Sequence, residues 1–243
     1  MSRINETAAI GFARSAEAYE EGRPGYPEAA LEPLGITPGM TVLDLAAGTG
    51  KLTRALAATG ARVIAVEPVA EMRAALPESV TALDGTAEAI PLEAASVDLV
   101  TVAQAFHWFD GPAALAEIHR VLRANGRLAL LWNRRGEDDP VNRAIDALIE
   151  PYRSGTPTLR GDAWRAAFDR TALFGPLSEH VYQNEQVLDA DGLAARICSI
   201  SFIARLPEPE RAGLLARARE LTAGGPVTVP YRTEVHLCEV KRP

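Results

Sequence analysis

The chain has 243 residues, 47% of them hydrophobic, enough to bury one sizeable core in a single domain. Its formal charge is −7 and its only lysines are Lys51 and Lys241, so no basic patch is available for a phosphate backbone, and nucleic acid is excluded as a partner. Cys198 and Cys238 are too few for a disulfide framework and have no histidine set beside them, so both are expected as free thiols with no metal; without a run of about 18 apolar residues or an apolar leader, the expected location is the cytoplasm, away from membrane.

In chain order, Arg23-Pro24-Gly25-Tyr26-Pro27 reads as a rigid turn, because proline presets φ and glycine admits unusual values. Short apolar runs predict strands over 41–45, 61–67, 80–83, 97–103 and 126–133. Helical spacing predicts helices over 51–59, 69–76 and 112–123. In the last of these His119 shares a stripe with Leu115, Ile118 and Leu122 and is assigned packing, not chemistry. After residue 134 the pattern changes to a helix over 141–152, an edge strand over 177–188, two helices over 189–201 and 207–221, and a closing strand over 227–240. Strands that alternate with helices predict an α/β fold, a doubly wound and mostly parallel sheet with helices on both faces.

The chemistry concentrates in TVLDLAAGTGKLT, residues 41–53. Gly48 and Gly50 remove the Cβ atoms that would hold a ligand away, and free N–H groups at a helix start face the crevice. Dinucleotide sites carry a third glycine where this chain has Thr53, and Asp44 would repel a pyrophosphate while suiting a cationic amino-acid moiety. Glu67 ends the second strand, 17 residues beyond Gly50. Parallel strands bring Asp44 and Glu67 to one edge, where a carboxylate can accept both hydroxyls of a ribose.

VLDLAAGTG resembles the first motif of the class I S-adenosylmethionine-dependent methyltransferases, and AVEP their second. GTAEAIPLEAASVDLVTVAQAFHWF resembles the third and fourth, and EIHRVLRANGRLALLWN the helix and fifth strand that follow. The AFHWF element, with Ala18-Tyr19 and the turn at 23–27, is most similar to the type 11 small-molecule branch that includes trans-aconitate methyltransferases. The resemblance is densest over 41–133. It implies a Rossmann-like seven-stranded sheet with an antiparallel closing strand, and S-adenosyl-L-methionine as cofactor.

Residue by residue, the resemblance gives Ala46, Gly48 and Gly50 to the backbone around the methionine portion and Asp44 to its ammonium region. Glu67 takes the ribose, Pro68 and Met72 the adenine face, and Thr86, Ala87 and Glu88 the adenine edge. Thr86 stands where many relatives carry an aspartate, which leaves Glu88 or a backbone carbonyl for the amino group. Tyr19 and Arg23 lie in a segment that folds across the cofactor in this family, with Arg23 near its carboxylate, and Gln104 sits by its methionine portion.

The resulting plan is one domain: a cap over 1–35, a cofactor core over 36–135, a substrate and lid region with the edge strand over 136–225, and the closing strand over 226–243. In the lid, Leu193, Ile197, Phe202 and Ile203 stand either as core or against substrate. Methyl transfer is an in-line displacement, in which alignment alone can supply roughly 7 to 11 kcal/mol. The expected acceptor is an O or N atom of a small molecule, a carboxylic acid among the options, since an ionised carboxylate needs no base. His107 in QAFHWF is the candidate base, but Phe106, Trp108 and Phe109 around it favour a pocket wall. Two alternatives stay open at this point: a nicotinamide oxidoreductase, disfavoured by Thr53 and Asp44, and a cofactor-binding module without catalysis.

Overall fold

The computed structural model describes residues 20–136, 138–153 and 163–241. Strand β1 (Thr41–Leu45) runs through the glycine turn into helix α1 (Lys51–Ala58). β2 (Arg62–Val66), the short α2 (Ala70–Arg73), β3 (Thr81–Leu83) and β4 (Val97–Ala103) follow. Helix α3 (Gly111–Val121) passes directly into β5 (Leu122–Arg135), because Leu122 turns to extended backbone. The two strands β4 and β5 pair Val97 with Leu122 and then Leu99 with Arg127, so the residues between leave the ladder. That irregularity is why a helix expected to reach residue 123 ends earlier and the strand starts sooner.

The sheet order is β3-β2-β1-β4-β5-β7-β6, with β6 (Ser178–Leu188) and β7 (Val227–Glu239) completing seven strands. The first five are parallel, and β7 pairs antiparallel with both β5 and β6. The winding reverses between β1 and β4. An α/β sheet opens its ligand crevice at such a point, beyond the carboxyl ends of the strands.

Alternate residues of each central strand feed opposite layers, as a strand buried on both faces requires. Leu43, Val100, Leu130 and Trp132 pack with Leu115 and Ile118 of α3, whereas Val42, Leu99 and Leu131 pack with Leu52 and Leu56 of α1. Each such side chain contributes about 1.5 to 3 kcal/mol when withdrawn from water.

Between β6 and β7 the chain inserts α6 (Ala190–Cys198), α7 (Ser201–Ala204) and α8 (Glu208–Glu220), preceded after β5 by α4 (Pro140–Ile149) and α5 (Ala166–Asp169). The insertion has a core of its own, where Leu193, Ile197, Phe202 and Ile203 meet Ile145, Ile149 and Leu214. Those four are core, the first of the two options the sequence left. Aspartates cap α3, α4 and α6: Asp110 accepts from Ala113 N, Asp139 from Asn142 N and Asp189 from Gly192 N, each worth about 1 kcal/mol.

The piece around α5 was not anticipated. Trp164 stacks on Trp132 at 4.5 Å between ring centroids, and Phe168 packs on Phe106 at 5.4 Å; the four-residue spacing of Trp164 and Phe168 was the available signal. His119 makes an edge contact with Phe174 and bonds Lys241 O, as a packed residue. Both cysteines are free thiols, and burial pushes that of Cys238 up to about 12. Among the described residues no helix is long and apolar enough to cross a membrane.

Candidate active site

The parallel register pairs Leu45 with both Val66 and Val102, so the residues that follow β1, β2 and β4 lie side by side at the crevice. Backbone strain gathers there. Ala46 and Gln104, just past β1 and β4, hold positive φ of 56° and 59°, and Gly48 and Gly50 hold 59° and 89°. A non-glycine residue in this region costs on the order of 1 kcal/mol or more and persists where its surroundings enforce it. Here Gln104 N is fixed by Leu131 O and Ala47 N by Val66 O.

Glu67 organises the turn from the neighbouring strand. Its Oε2 accepts from Gly48 N at 2.8 Å and its Oε1 from Val69 N at 2.9 Å, while the residue is only 4% exposed. Burial raises its pKa, opposed by these two bonds. Each carboxylate oxygen retains a lone-pair site, so the same group can hold the loop and still accept from a ligand hydroxyl.

Asp44 lies deeper than the sequence suggested. Thr53 Oγ1 donates to its Oδ2 at 2.6 Å and Thr101 Oγ1 to its Oδ1 at 2.9 Å, so the carboxylate brackets β1, β4 and the start of α1. The residue that displaced a third glycine, Thr53, thereby has a structural task. Burial raises the Asp44 pKa to about 6, with the two hydroxyls opposing and Glu67 adding to the rise.

A carboxyl whose folded pKa lies above its unfolded value loses stability as pH climbs through that interval. Relative to the isosteric Asp44→Asn variant, the wild type is therefore expected to match it below about pH 4 and to lose about 3 kcal/mol by pH 7. Urea denaturation of both proteins across pH 4 to 8 checks this, and parallel curves would rule it out.

Beyond β2, on the Glu67 side of the crevice, Met72 and Ala87 are buried and Pro68 is partly buried. The hydroxyl of Thr86 is buried without a hydrogen-bond partner, as is that of Thr49 in the glycine turn. Glu88 is occupied: its Oε1 accepts from Asp110 N at 3.0 Å, and the Thr86 carbonyl accepts from Ala89 N. Buried hydroxyls left open beside a glycine-lined edge fit a nucleoside ligand that brings their partners.

The other end of the crevice is cationic. Arg23, Lys51 and Arg196 line a small cavity with Gln104, Asn133 and Tyr231. Arg23 belongs to a strap, residues 22–27, clipped across the strand ends: Asn133 and Asn184 both donate to Gly25 O, Gln186 donates to Gly22 O, and Arg23 donates to Ser199 O at 2.9 Å. Tyr19 lies outside the described residues. His107, stacked on Trp108 at 4.8 Å, follows β4 in a single 3-10 turn, Phe106–Trp108. Burial, then the charges of Arg23 and Arg134, lower its pKa to about 4.

The sequence reading did not single out Lys51, Asn133, Arg196 or Tyr231. Asn133 was open to the rule that found Asp44 and Glu67, a polar residue closing an apolar run. Arg196 interrupts the buried stripe of Leu193, Ala194 and Ile197, and a charge on such a stripe is a signal in itself.

A family model described as a methyltransferase domain matches residues 43–130. An uncharacterised methyltransferase of Mycobacterium tuberculosis is 41% identical over 238 residues, which cover 92% of this chain and 93% of that protein. The chain belongs to the class I S-adenosylmethionine-dependent methyltransferases. Similarity continues in an uncharacterised methyltransferase-like protein of Schizosaccharomyces pombe, 36% identical over 234 residues covering 90% of this methyltransferase and 88% of that protein. The solved structure of a candidate type II methyltransferase from Anaeromyxobacter dehalogenans shares the fold with a TM-score of 0.64 and 26% identity, over 90% of this chain and 97% of that one. The nicotinamide oxidoreductase and the non-catalytic module fall away with that assignment.

Proposed function

We propose that this methyltransferase transfers the methyl group of S-adenosylmethionine to an oxygen of a small carboxylic acid. The observation that supports the reading is the cationic end of the crevice, a cavity lined by Arg23, Lys51 and Arg196 beside Gln104, Asn133 and Tyr231, which suits an anionic acceptor; the His107 imidazole is kept a weak base by burial, then by Arg23 and Arg134. A base that weak is poorly matched to the proton of a phenol, an alcohol or an ammonium. A carboxylate is already ionised: its oxygen bonds the methyl carbon while the C–S electron pair leaves with sulfur, and no proton moves. The cofactor supplies the activated methyl; the protein supplies alignment.

In this reading Glu67 accepts the ribose hydroxyls, Pro68, Met72, Thr86 and Ala87 form the adenine slot, and Ala46, Gly48, Gly50 and Gln104 lie along the methionine portion. Arg23, on the strap, takes that portion's carboxylate. Asp44 acts through the field it sets at the turn, since both its oxygens are engaged. Glu88 holds the Asp110 loop beside the adenine edge.

The test is radiolabelled methyl transfer to parallel panels of carboxylic acids, phenols and amines. Esters formed from acids are expected, with kcat/KM level between pH 5.5 and 8. His107→Asn is expected to raise acceptor KM with kcat within a few-fold of wild type, because the imidazole orients and does not accept. A loss of about 10² or more in kcat with unchanged KM, or an inflection near pH 6.5 that the variant abolishes, would show that His107 takes a proton.

A further inference from the structure

Among the described residues no anion is paired with Arg196, a buried cation. The residue is 6% exposed, its Nε donates to Tyr231 Oη at 3.0 Å, and its Nη1 is buried with no hydrogen-bond partner. Tyr231 Oη passes the interaction on to Gln186 Oε1 at 3.3 Å, which fixes the plane of the guanidinium. The neighbouring guanidinium of Arg135 is near enough for Arg196 to depress its pKa, which burial and that repulsion bring to about 10. Arg135 pairs with Asp146 and also leaves its Nη1 buried without a partner. Asp146 thus pairs with Arg135, and among the described residues no acid is paired with Arg196. Burying an arginine away from water is costly unless a counter-charge or full hydrogen bonding meets it, and Arg196 has neither.

The location gives the arrangement a purpose. Arg196 comes from inserted helix α6 and lines the same cavity as Gln104 and Lys51, at the carboxyl ends of β4 and β1. A guanidinium held through Nε and without a hydrogen-bond partner at Nη1 among the described residues suits a planar carboxylate.

We infer that Arg196 is the carboxylate receptor of this crevice, holding on its open edge an acid group that enters beside Tyr231 and Gln104. Two molecules carry such a group to this place: the cofactor, through the methionine carboxylate that Arg196 would then share with Arg23 across the same cavity, and the acceptor, through an acid group other than the one methylated. The inference rests on the crevice being the methyl-transfer site.

Three proteins decide it: wild type, Arg196→Met, which keeps the stem and removes the charge, and Arg196→Lys, which keeps the charge and loses the fork. Calorimetric titration with S-adenosylhomocysteine and with its descarboxy analogue tests the first source. Titration with succinate, glutarate and citrate at saturating S-adenosylhomocysteine tests the second. A receptor role predicts that Arg196→Met weakens one of these by roughly 10- to 150-fold, the loss of a charged hydrogen bond, with Arg196→Lys intermediate. Loss for S-adenosylhomocysteine but not for its descarboxy analogue identifies the cofactor as the source, and loss confined to the acids identifies the acceptor.

If affinity for S-adenosylhomocysteine is unchanged and no acid distinguishes the variants, Arg196 is only a brace for Tyr231 and the inference is overturned. Should Arg196→Met not fold, the lysine variant and the wild-type comparison of the two homocysteine ligands and the acids still decide. The acceptor reading fails separately, if no acid is methylated while the variant still loses affinity.

Discussion

Replacing Glu67 by alanine is expected to weaken S-adenosylhomocysteine binding by roughly 10- to 150-fold, the equivalent of one or two charge-assisted hydrogen bonds. The loss has two parts in this structure. The proposed ribose acceptor goes, and so does the group that holds Gly48 N and Val69 N. Leaving those N–H groups without a partner costs about 1 to 3 kcal/mol, so the midpoint of thermal unfolding should fall even without ligand. Glu67→Gln, which keeps one oxygen, is expected between the two. Calorimetry on folded variants checks this, and wild-type affinity for Glu67→Ala would remove the ribose from this carboxylate.

Gly48→Val is expected to abolish cofactor binding altogether. The glycine holds φ of 59°, where a β-branched residue is strongly disfavoured. Even if the backbone yielded, the valine would stand on the face the ligand must approach, and Gly48 N would be pulled from Glu67. Solubility and circular dichroism establish whether the variant folds. A folded variant with near-normal affinity would place the ligand elsewhere.

The sequence made the centre of the sheet legible because β1, β4 and nearly all of β2 are buried on both faces, so each apolar run starts and stops abruptly. The spans of β1 and β4 were read to the residue, and Asp44, Glu67 and Gln104 emerge where those runs end. The cationic end was harder, for a physical reason. Arg196 and Tyr231 meet across the insertion, 35 positions apart, and both acquire their environment from α6 folding back on β7. No local periodicity encodes that approach. Asp44 shows the converse limit: its position was legible, but its capture by Thr53 and Thr101 depends on β4, 57 residues further on.

The strap across the strand ends contains one glycine whose missing side chain has a mechanical meaning. A Cβ on Gly22 would sit 2.4 Å from Arg196 N and 2.5 Å from Arg196 Cα, backbone atoms of α6 that cannot rotate aside. Only a residue without a side chain fits against that turn of helix. The strap can consequently seat in a single phase: sliding it by one place would drive Glu21 or Arg23 into the helix backbone. Seating Gly22 therefore indexes everything after it, like a key with one notch, and delivers Arg23 and Tyr26 to the cavity at fixed positions. A chain that carries cavity-lining residues on a segment with little regular structure of its own has thus borrowed the rigidity of a helix for them, through an atom it does not have.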